Sequence, residues 1–306
     1  MNYFLANPVF RAICKVIYKY SHSSILRHNR NFWSFYKINR DESGVLNKVY
    51  FLNTLVADNT ILEKPINKTA MLVATGPSVK DLDPECFNQK DIDYIGVNGA
   101  VSLGIHFKYY ILIDKNFITN RFDIVSQVLL NENCTLFTTP VCLNIMLNKM
   151  NFKKYKCQIK VIETVTEDKV KGLFQEATFA DTTLNHYYFK NHYGFSTNIF
   201  HSIYDYFTVA YVALQIIYAL GYKTINIAGL DMNNFEKPRF YEDGQNKQPT
   251  MLDHYSEIIF DAFDVAAEFF DKHNVEVFNL SKNSAIESFK KVDANDVILK
   301  RNEKSN

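Results

Sequence analysis

Thr75-Gly76-Pro77-Ser78 closes a short apolar run, "TAMLVA", with residue types suited to an anion. Gly76 lets a ligand approach the backbone, and Ser78 can cap a following helix or bond a phosphate. Polar endings recur: "IGVNGA" stops on Asn98 and Gly99, "YYILID" on Asp114, and "INIAGLD" on Asp231. An amide such as Asn98 can bond a base, a ribose or a phosphate, whereas a strand-end aspartate can take a proton or cap the next element. Beyond Asp231, the loop "NNFEKPRFYEDGQNKQPT" sets Arg239 and Tyr241 two residues apart. In an extended chain both face one ligand, the guanidinium as a fork for phosphate or carboxylate and the phenol as one more donor. His254 comes after that loop at a helix start, so His254 and Asp231 are the candidate general bases. The first turn lacks a Walker lysine and is not GxGxxG, so on its own it reads as a strand-to-helix turn.

These residues need elements to bring them together. Seven apolar runs, "MLVAT", "YIGVN", "YYILID", "CTLFTT", "IKVIET", "INIAGLD" and "VEVFNLS", are interleaved with helix-length segments such as Val209 to Leu220 and Tyr255 to His273. That rhythm predicts an α/β fold around a mostly parallel, Rossmann-like sheet. In such sheets ligands sit beyond the carboxyl ends of the strands, where four polar strand ends would converge on one crevice. Residues 165–206, rich in His, Tyr, Phe and Asn, break the rhythm and are expected to form a lid or an irregular helical subdomain. The chain divides into an N-terminal segment, 1–68, and a main domain, 69–306.

The N-terminal segment is distinct in charge. Its first forty residues hold seven Lys or Arg and no acid, although the whole chain is only +1. Asn7-Pro8 is a helix start, after which Val9, Ile13, Val16, Ile17 and Tyr20 share one face and Arg11, Lys15 and Lys19 another. The mixture of basic and aromatic residues continues to Arg40, predicting a basic amphipathic helical segment that either lies in a lipid headgroup layer or packs on the main domain with its charges in water.

Other chemistry is disfavoured. The neutral overall balance gives no global pull toward nucleic acid. Five scattered cysteines, without a CxxC pair, argue against a disulfide framework or structural zinc and suit a reducing cytosol. Asp81/Asp83 and Asp91/Asp93 have D-x-D spacing but precede strands, so they are read as solvated turn carboxylates, and no metal site or cofactor is expected. No run is long enough to span a bilayer, and no signal peptide is evident.

Taken together, "VATGPSV", "IGVNGA", "YYILID", "ALQIIYALGYKTINIAGLD", "RFYEDGQNKQP" and "VFNLSKNSAI" resemble the WaaZ family of lipopolysaccharide core Kdo transferases, in order from Met71 to Ile286. A more distant resemblance is to bacterial sialyltransferases of the Campylobacter type, through the GxGPS-like turn, the asparagine at the second strand end and "ALGYK" before a glycine-to-aspartate strand end. Both families draw sugar from a CMP-linked keto acid. The resemblance implies a sialyltransferase-like variant of the GT-A fold in the main domain, with no metal and CMP-Kdo as donor. It also implies that Thr75, Gly76 and Ser78 cradle the nucleotide, that Asn98 contacts it, that Thr208 lies near the donor, and that Arg239 and Tyr241 meet the phosphate; Asp114, as one of the four polar strand ends, is expected to be a donor or acceptor contact. This chain departs from the sialyltransferase pattern in having Thr75 for an asparagine, Thr208-Val209-Ala210 for Thr-Ser-Gly, and Ile258 where the catalytic histidine falls.

The expected activity is therefore inverting transfer of Kdo from CMP-Kdo to the inner core of lipopolysaccharide or lipooligosaccharide. The expected place is the cytoplasmic face of the bacterial inner membrane, with no nucleic-acid partner. The rival readings are a CMP-sialic acid-dependent sialyltransferase and a noncatalytic nucleotide-binding protein of the membrane surface.

Overall fold

Strand β4 (Thr69–Val73) is buried at all five positions, as a strand covered on both faces must be. Its sheet has eight strands, all parallel: β17 (Lys290–Lys291), β16 (Glu276–Asn279), β15 (Thr224–Ala228), β4, β5 (Ile92–Val97), β6 (Tyr109–Leu112), β7 (Thr135–Thr138) and β8 (Gln158–Val161), in that spatial order. The computed structural model describes residues 7–296 apart from 171, 177, 234, 244 and 246, so both outer ends of the expected division, 1–6 and 297–306, lie outside the described residues. All seven expected apolar runs fall on strands of this sheet.

The chain lays down β4 to β8 on one side, then returns to place β15, β16 and β17 on the other side of β4. Strand order therefore reverses at the β15/β4 pair, which opens a crevice at the carboxyl edge. Helices α2 (Lys115–Asn120), α3 (Phe122–Leu129) and α4 (Pro140–Lys149) pack one face, around Tyr110, Ile118, Leu136 and Met146. The other face is covered by α5 (Val209–Leu220) and α6 (Ser256–Lys272), around Tyr211, Ile216, Phe263 and Phe269.

The 1–68 segment is not helical throughout. Helix α1 (Pro8–Ser21) and a 3-10 stretch, Ser24–Asn31, lead into an antiparallel sheet of β1 (Tyr36–Arg40), β2 (Leu46–Phe51) and β3 (Thr54–Asp58). Burial alternates along β1, and Leu52 and Asn53 both have positive φ, 49° and 63°, the two-residue geometry of a tight hairpin. This sheet covers the edge of the main one: the Asn59 side chain donates to the carbonyls of Leu46 (2.7 Å) and Val161 (2.8 Å). Arg40 reaches Glu163, whose side chain is fully buried. Burial pushes the Glu163 carboxyl up and Arg40 pulls it back, so removing either partner costs about 3–5 kcal/mol.

Two further expectations change. Asp93 is not a solvated turn carboxylate but a buried residue inside β5, accepting from Asn67 (2.9 Å), Lys108 (2.9 Å) and Tyr222 (2.7 Å). The 165–206 stretch contains no helix among its described residues; it forms short strands β9 (Thr164–Thr166), β10 (Lys169–Val170), β11 (Thr178–Phe179) and β14 (Ile203–Tyr204), plus a hairpin of β12 (Tyr187–Lys190) and β13 (Tyr193–Ser196). Glu268 on α6 clips that hairpin, accepting from Tyr188 (2.6 Å) and pairing with Lys190 and Lys272. The five cysteines are free and buried, and no helix among the described residues is long and apolar enough to cross a membrane.

Candidate active site

The crevice at the strand reversal is an open cleft of about 340 Å³. Its wall includes Gly76 from the end of β4, Asn98 from β5, Asp114 from β6 and Asp231 from β15, joined by Thr75, Thr208 and Arg239. Four strand ends thus meet in one hollow, as the parallel arrangement requires. Ser78, Tyr241 and His254 do not line it.

The glycine turn differs from an anion cradle. The Gly76 N–H donates to the Gly229 carbonyl (2.9 Å), and the Ser78 N–H donates to Asp231 Oδ2 (2.9 Å). The Ser78 hydroxyl joins Asp231 Oδ1 and lies 2.7 Å from the Ser281 hydroxyl. From Pro77 to Asp81 the chain forms a five-residue 3-10 helix rather than an α-helix, and Pro84, three residues on, limits any extension. Gly76 is needed for the protein's own packing: a Cβ there would sit 2.4 Å from Asp231 Oδ2 and 2.6 Å from the Gly229 carbonyl. Asp231 is therefore a buried latch between two strand ends.

Asn98 has φ +45°. Its carbonyl accepts from the Tyr110 hydroxyl (2.7 Å), which in turn accepts from the Val101 N–H (2.8 Å). The Asn98 Oδ1 is buried without a hydrogen-bond partner at the cleft wall, a costly state for an amide oxygen unless a ligand supplies the donor. The Tyr241 ring fills the space beneath Gly99, where a Cβ would lie 2.2 Å from the ring. Its hydroxyl is also buried without a partner, and burial pushes its pKa up.

Arg239 and Tyr241 do not face one ligand. The chain turns between them, with the Glu242 N–H donating to the Arg239 carbonyl (2.9 Å), so the alternation of an extended strand does not apply. Arg239 stays on the wall because the buried Glu242 carboxylate accepts from its N–H (2.9 Å), its Nη1 (2.8 Å) and the Gln248 N–H (3.1 Å). Glu242 was not among the expected residues, nor were Lys237, Lys247 and Asp205, which also line the cleft. The polar loop itself was visible in the sequence; its turn was not.

The start of α5 provides what the glycine turn withholds. Thr208 is its N-cap, is buried, and makes no side-chain cap hydrogen bond, while Thr208, Val209 and Ala210 all line the cleft. The first N–H groups of a helix lack intrahelical partners and carry the positive end of the dipole. Phe207, at φ +60°, fixes this entry by stacking on Tyr255 at 3.7 Å. Asp114 caps α2, accepting from Asn116 N–H (2.8 Å) and Phe117 N–H (3.1 Å). His254 is exposed, two residues past the last wall residue, Leu252, with its ring edge on Tyr255. Among the described residues no cluster of three or more His, Cys, Asp or Glu side chains is placed to hold a metal ion.

Comparison with known proteins gives four matches. A "Probable 3-deoxy-manno-octulosonic acid transferase" of Salmonella typhimurium is 24% identical, over 74% of this chain and 86% of that one. Among solved structures, the Campylobacter jejuni sialyltransferase CstII, in complex with a substrate analogue, cytidine-5'-monophosphate, aligns with a TM-score of 0.43 at 12% identity over 74% of this chain and 84% of its own. The monofunctional alpha-2,3-sialyltransferase Cst-I of Campylobacter jejuni aligns at 0.42 and 12%, over 76% and 83%. The model of the family described as 3-deoxy-D-manno-octulosonic acid transferase WaaZ matches residues 50–292, a span holding every strand of the main sheet and the whole cleft wall, and this chain therefore belongs to that family of glycosyltransferases.

Proposed function

We propose that the enzyme transfers Kdo from CMP-Kdo to the inner core of lipopolysaccharide or lipooligosaccharide, at the cytoplasmic face of the inner membrane. The observation that carries the donor class is that the uncapped start of α5 and the Glu242-anchored Arg239 share one cleft wall. A sugar linked through its anomeric carbon to a single phosphate needs such a site. As the C–O bond breaks, positive charge builds on the sugar ring and negative charge on the departing CMP. Arg239 and the helix-start N–H groups meet that negative charge with donors already in place, so no divalent ion is required in this reading. Asn98 lines the same wall, and its Oδ1, buried without a donor, would meet an amino or hydroxyl group of the nucleoside once the amide turns toward the cleft. The acceptor hydroxyl oxygen forms the new bond from the opposite face and gives its proton to a base, so configuration inverts.

Asp231 lies on the wall, but its carboxylate is held by Ser78, which suits a latch better than a base. The test is incubation with CMP-Kdo generated in situ and truncated lipooligosaccharide, followed by mass measurement. A gain of one Kdo is expected. A gain of sialic acid from CMP-sialic acid, with none from CMP-Kdo, overturns the donor; CMP binding without turnover on any acceptor overturns the enzymatic reading.

A further inference from the structure

Helix α1 is docked inside out. Val9, Ile13, Val16, Ile17 and Tyr20 are 51–83% exposed, and at the helical repeat they fall within an arc of about 100°. The opposite face, with Arg11, Cys14 and Tyr18, is the buried one. Arg11 is its anchor: Nη1 donates to Asn148 Oδ1 (3.1 Å), and Nη2 to the Asn31 carbonyl (2.8 Å) and Asn144 Oδ1 (3.0 Å), with the guanidinium 5.0 Å from the Phe35 ring. Rolling the helix to hide its apolar stripe would strip a buried cation of these partners, so the stripe is fixed outward. Of the twelve exposed large apolar residues among the described residues, nine lie within residues 9–66, so the feature belongs to this end of the chain.

Charge identifies what covers the stripe. All 33 acidic residues come after Arg40, leaving Lys15 and Lys19 on the helix, and Arg27 and Arg30 on the 3-10 stretch that follows it, with no carboxylate in that stretch of chain. Burial lowers the Lys15 pKa, and Arg11 and Arg30 lower it further, the mark of cations crowding one another. A second copy placed on the same stripe by two-fold symmetry would oppose these cations to their own images. An anionic lipid surface neutralises them and takes up the apolar side chains together.

We propose that the outward face of α1 is a rigid docking surface for an anionic bilayer, with Val9, Ile13, Val16, Ile17 and Tyr20 entering the acyl boundary and the flanking cations meeting headgroups. It rests on the proposed function only in supposing a membrane-borne acceptor. The Arg11 anchor, rather than a flexible tail, then sets how the cleft is presented to the membrane.

The test is co-sedimentation of the full chain with phosphatidylcholine vesicles, with or without a quarter phosphatidylglycerol. Partition to the anionic vesicles, weakened by salt, is expected, with a loss of at least about tenfold for Ile13→Asp/Ile17→Asp at unchanged melting temperature. Arg27→Glu/Arg30→Glu, which leaves the stripe intact, should lose the preference for anionic vesicles. Equal partition of wild type and the Asp variant, equal partition to neutral and anionic vesicles, or a concentration-dependent dimer that the Asp variant abolishes would each overturn it. Transfer to a delipidated, water-soluble acceptor should be unchanged in the Asp variant. If that transfer is absent from both proteins while vesicle partition holds, the proposed function fails and the docking surface stands.

Discussion

Two chain segments enter the same cleft and treat their backbone donors in opposite ways. In the Thr75–Ser78 turn, the N–H groups of Gly76 and Ser78 are taken by Gly229 and Asp231, so the turn joins strand ends. At Thr208–Ala210 a twelve-residue helix begins with no side chain over its N–H groups and points that end at the cleft. The glycine-containing turn therefore marks close packing, and the plain Thr-Val-Ala start is the end that the proposed function assigns to the phosphate. A glycine turn becomes a phosphate site only when its N–H groups are left without protein partners.

This contrast can be broken by substitution. The largest effect is expected at Arg239, whose replacement by alanine should lower kcat/KM for CMP-Kdo by about 10²–10³-fold, with lysine restoring little because it lacks the planar fork. Next is the latch: Asp231→Ala should destabilise the fold by about 2–3 kcal/mol in denaturant melts by orphaning Ser78. Asp231→Asn keeps an oxygen for the Ser78 N–H and should retain transfer within about tenfold, whereas a far larger loss at unchanged stability would make the carboxylate the base. Thr208→Ala should cost less than about 0.5 kcal/mol, because no cap hydrogen bond is lost, yet weaken CMP binding several-fold by calorimetry.

The loop 233–252 and the 165–206 stretch form a second contrast, since the first builds cleft wall while the second, among its described residues, reaches the cleft only at Asp205. Glu268, held to about 2 by Lys190, Lys272 and Tyr188, clips the hairpin to α6. A depressed carboxylate stabilises above its unfolded value and loses that stabilisation as pH falls through its folded value. Amide protection in 187–196, relative to the intrinsic exchange rate at each pH, should therefore fall between pH 4.5 and about 2 without a matching change at the cleft. The smallest effect is expected at His254: exposed and off the wall, it should tolerate alanine within about a factor of two in kcat.

Much of this was legible in the linear chain because buried parallel strands write themselves as unbroken apolar runs, and their polar ends fall at the sheet's carboxyl edge. Thr75, Gly76, Asn98, Asp114 and Asp231 reached the cleft by that rule, whereas Thr208 was signalled by the family resemblance and Arg239 by the polar loop after Asp231. Tyr241 did not, since an i to i+3 turn replaced the extended spacing that paired it with Arg239. The β1–β3 sheet was obscured by a helical reading of basic and aromatic residues, although "YKINR" alternates with period two.

Local pattern alone determined the seven strands, the two long helices and the amphipathic stripe of α1, because each depends on neighbours in sequence. Tertiary structure decided which way that stripe faces and which N–H groups remain for a ligand. Those outcomes depend on partners as distant as Asn148 from Arg11 and Asp231 from Ser78, and a hydrogen bond between remote residues has no signature in either one's local sequence.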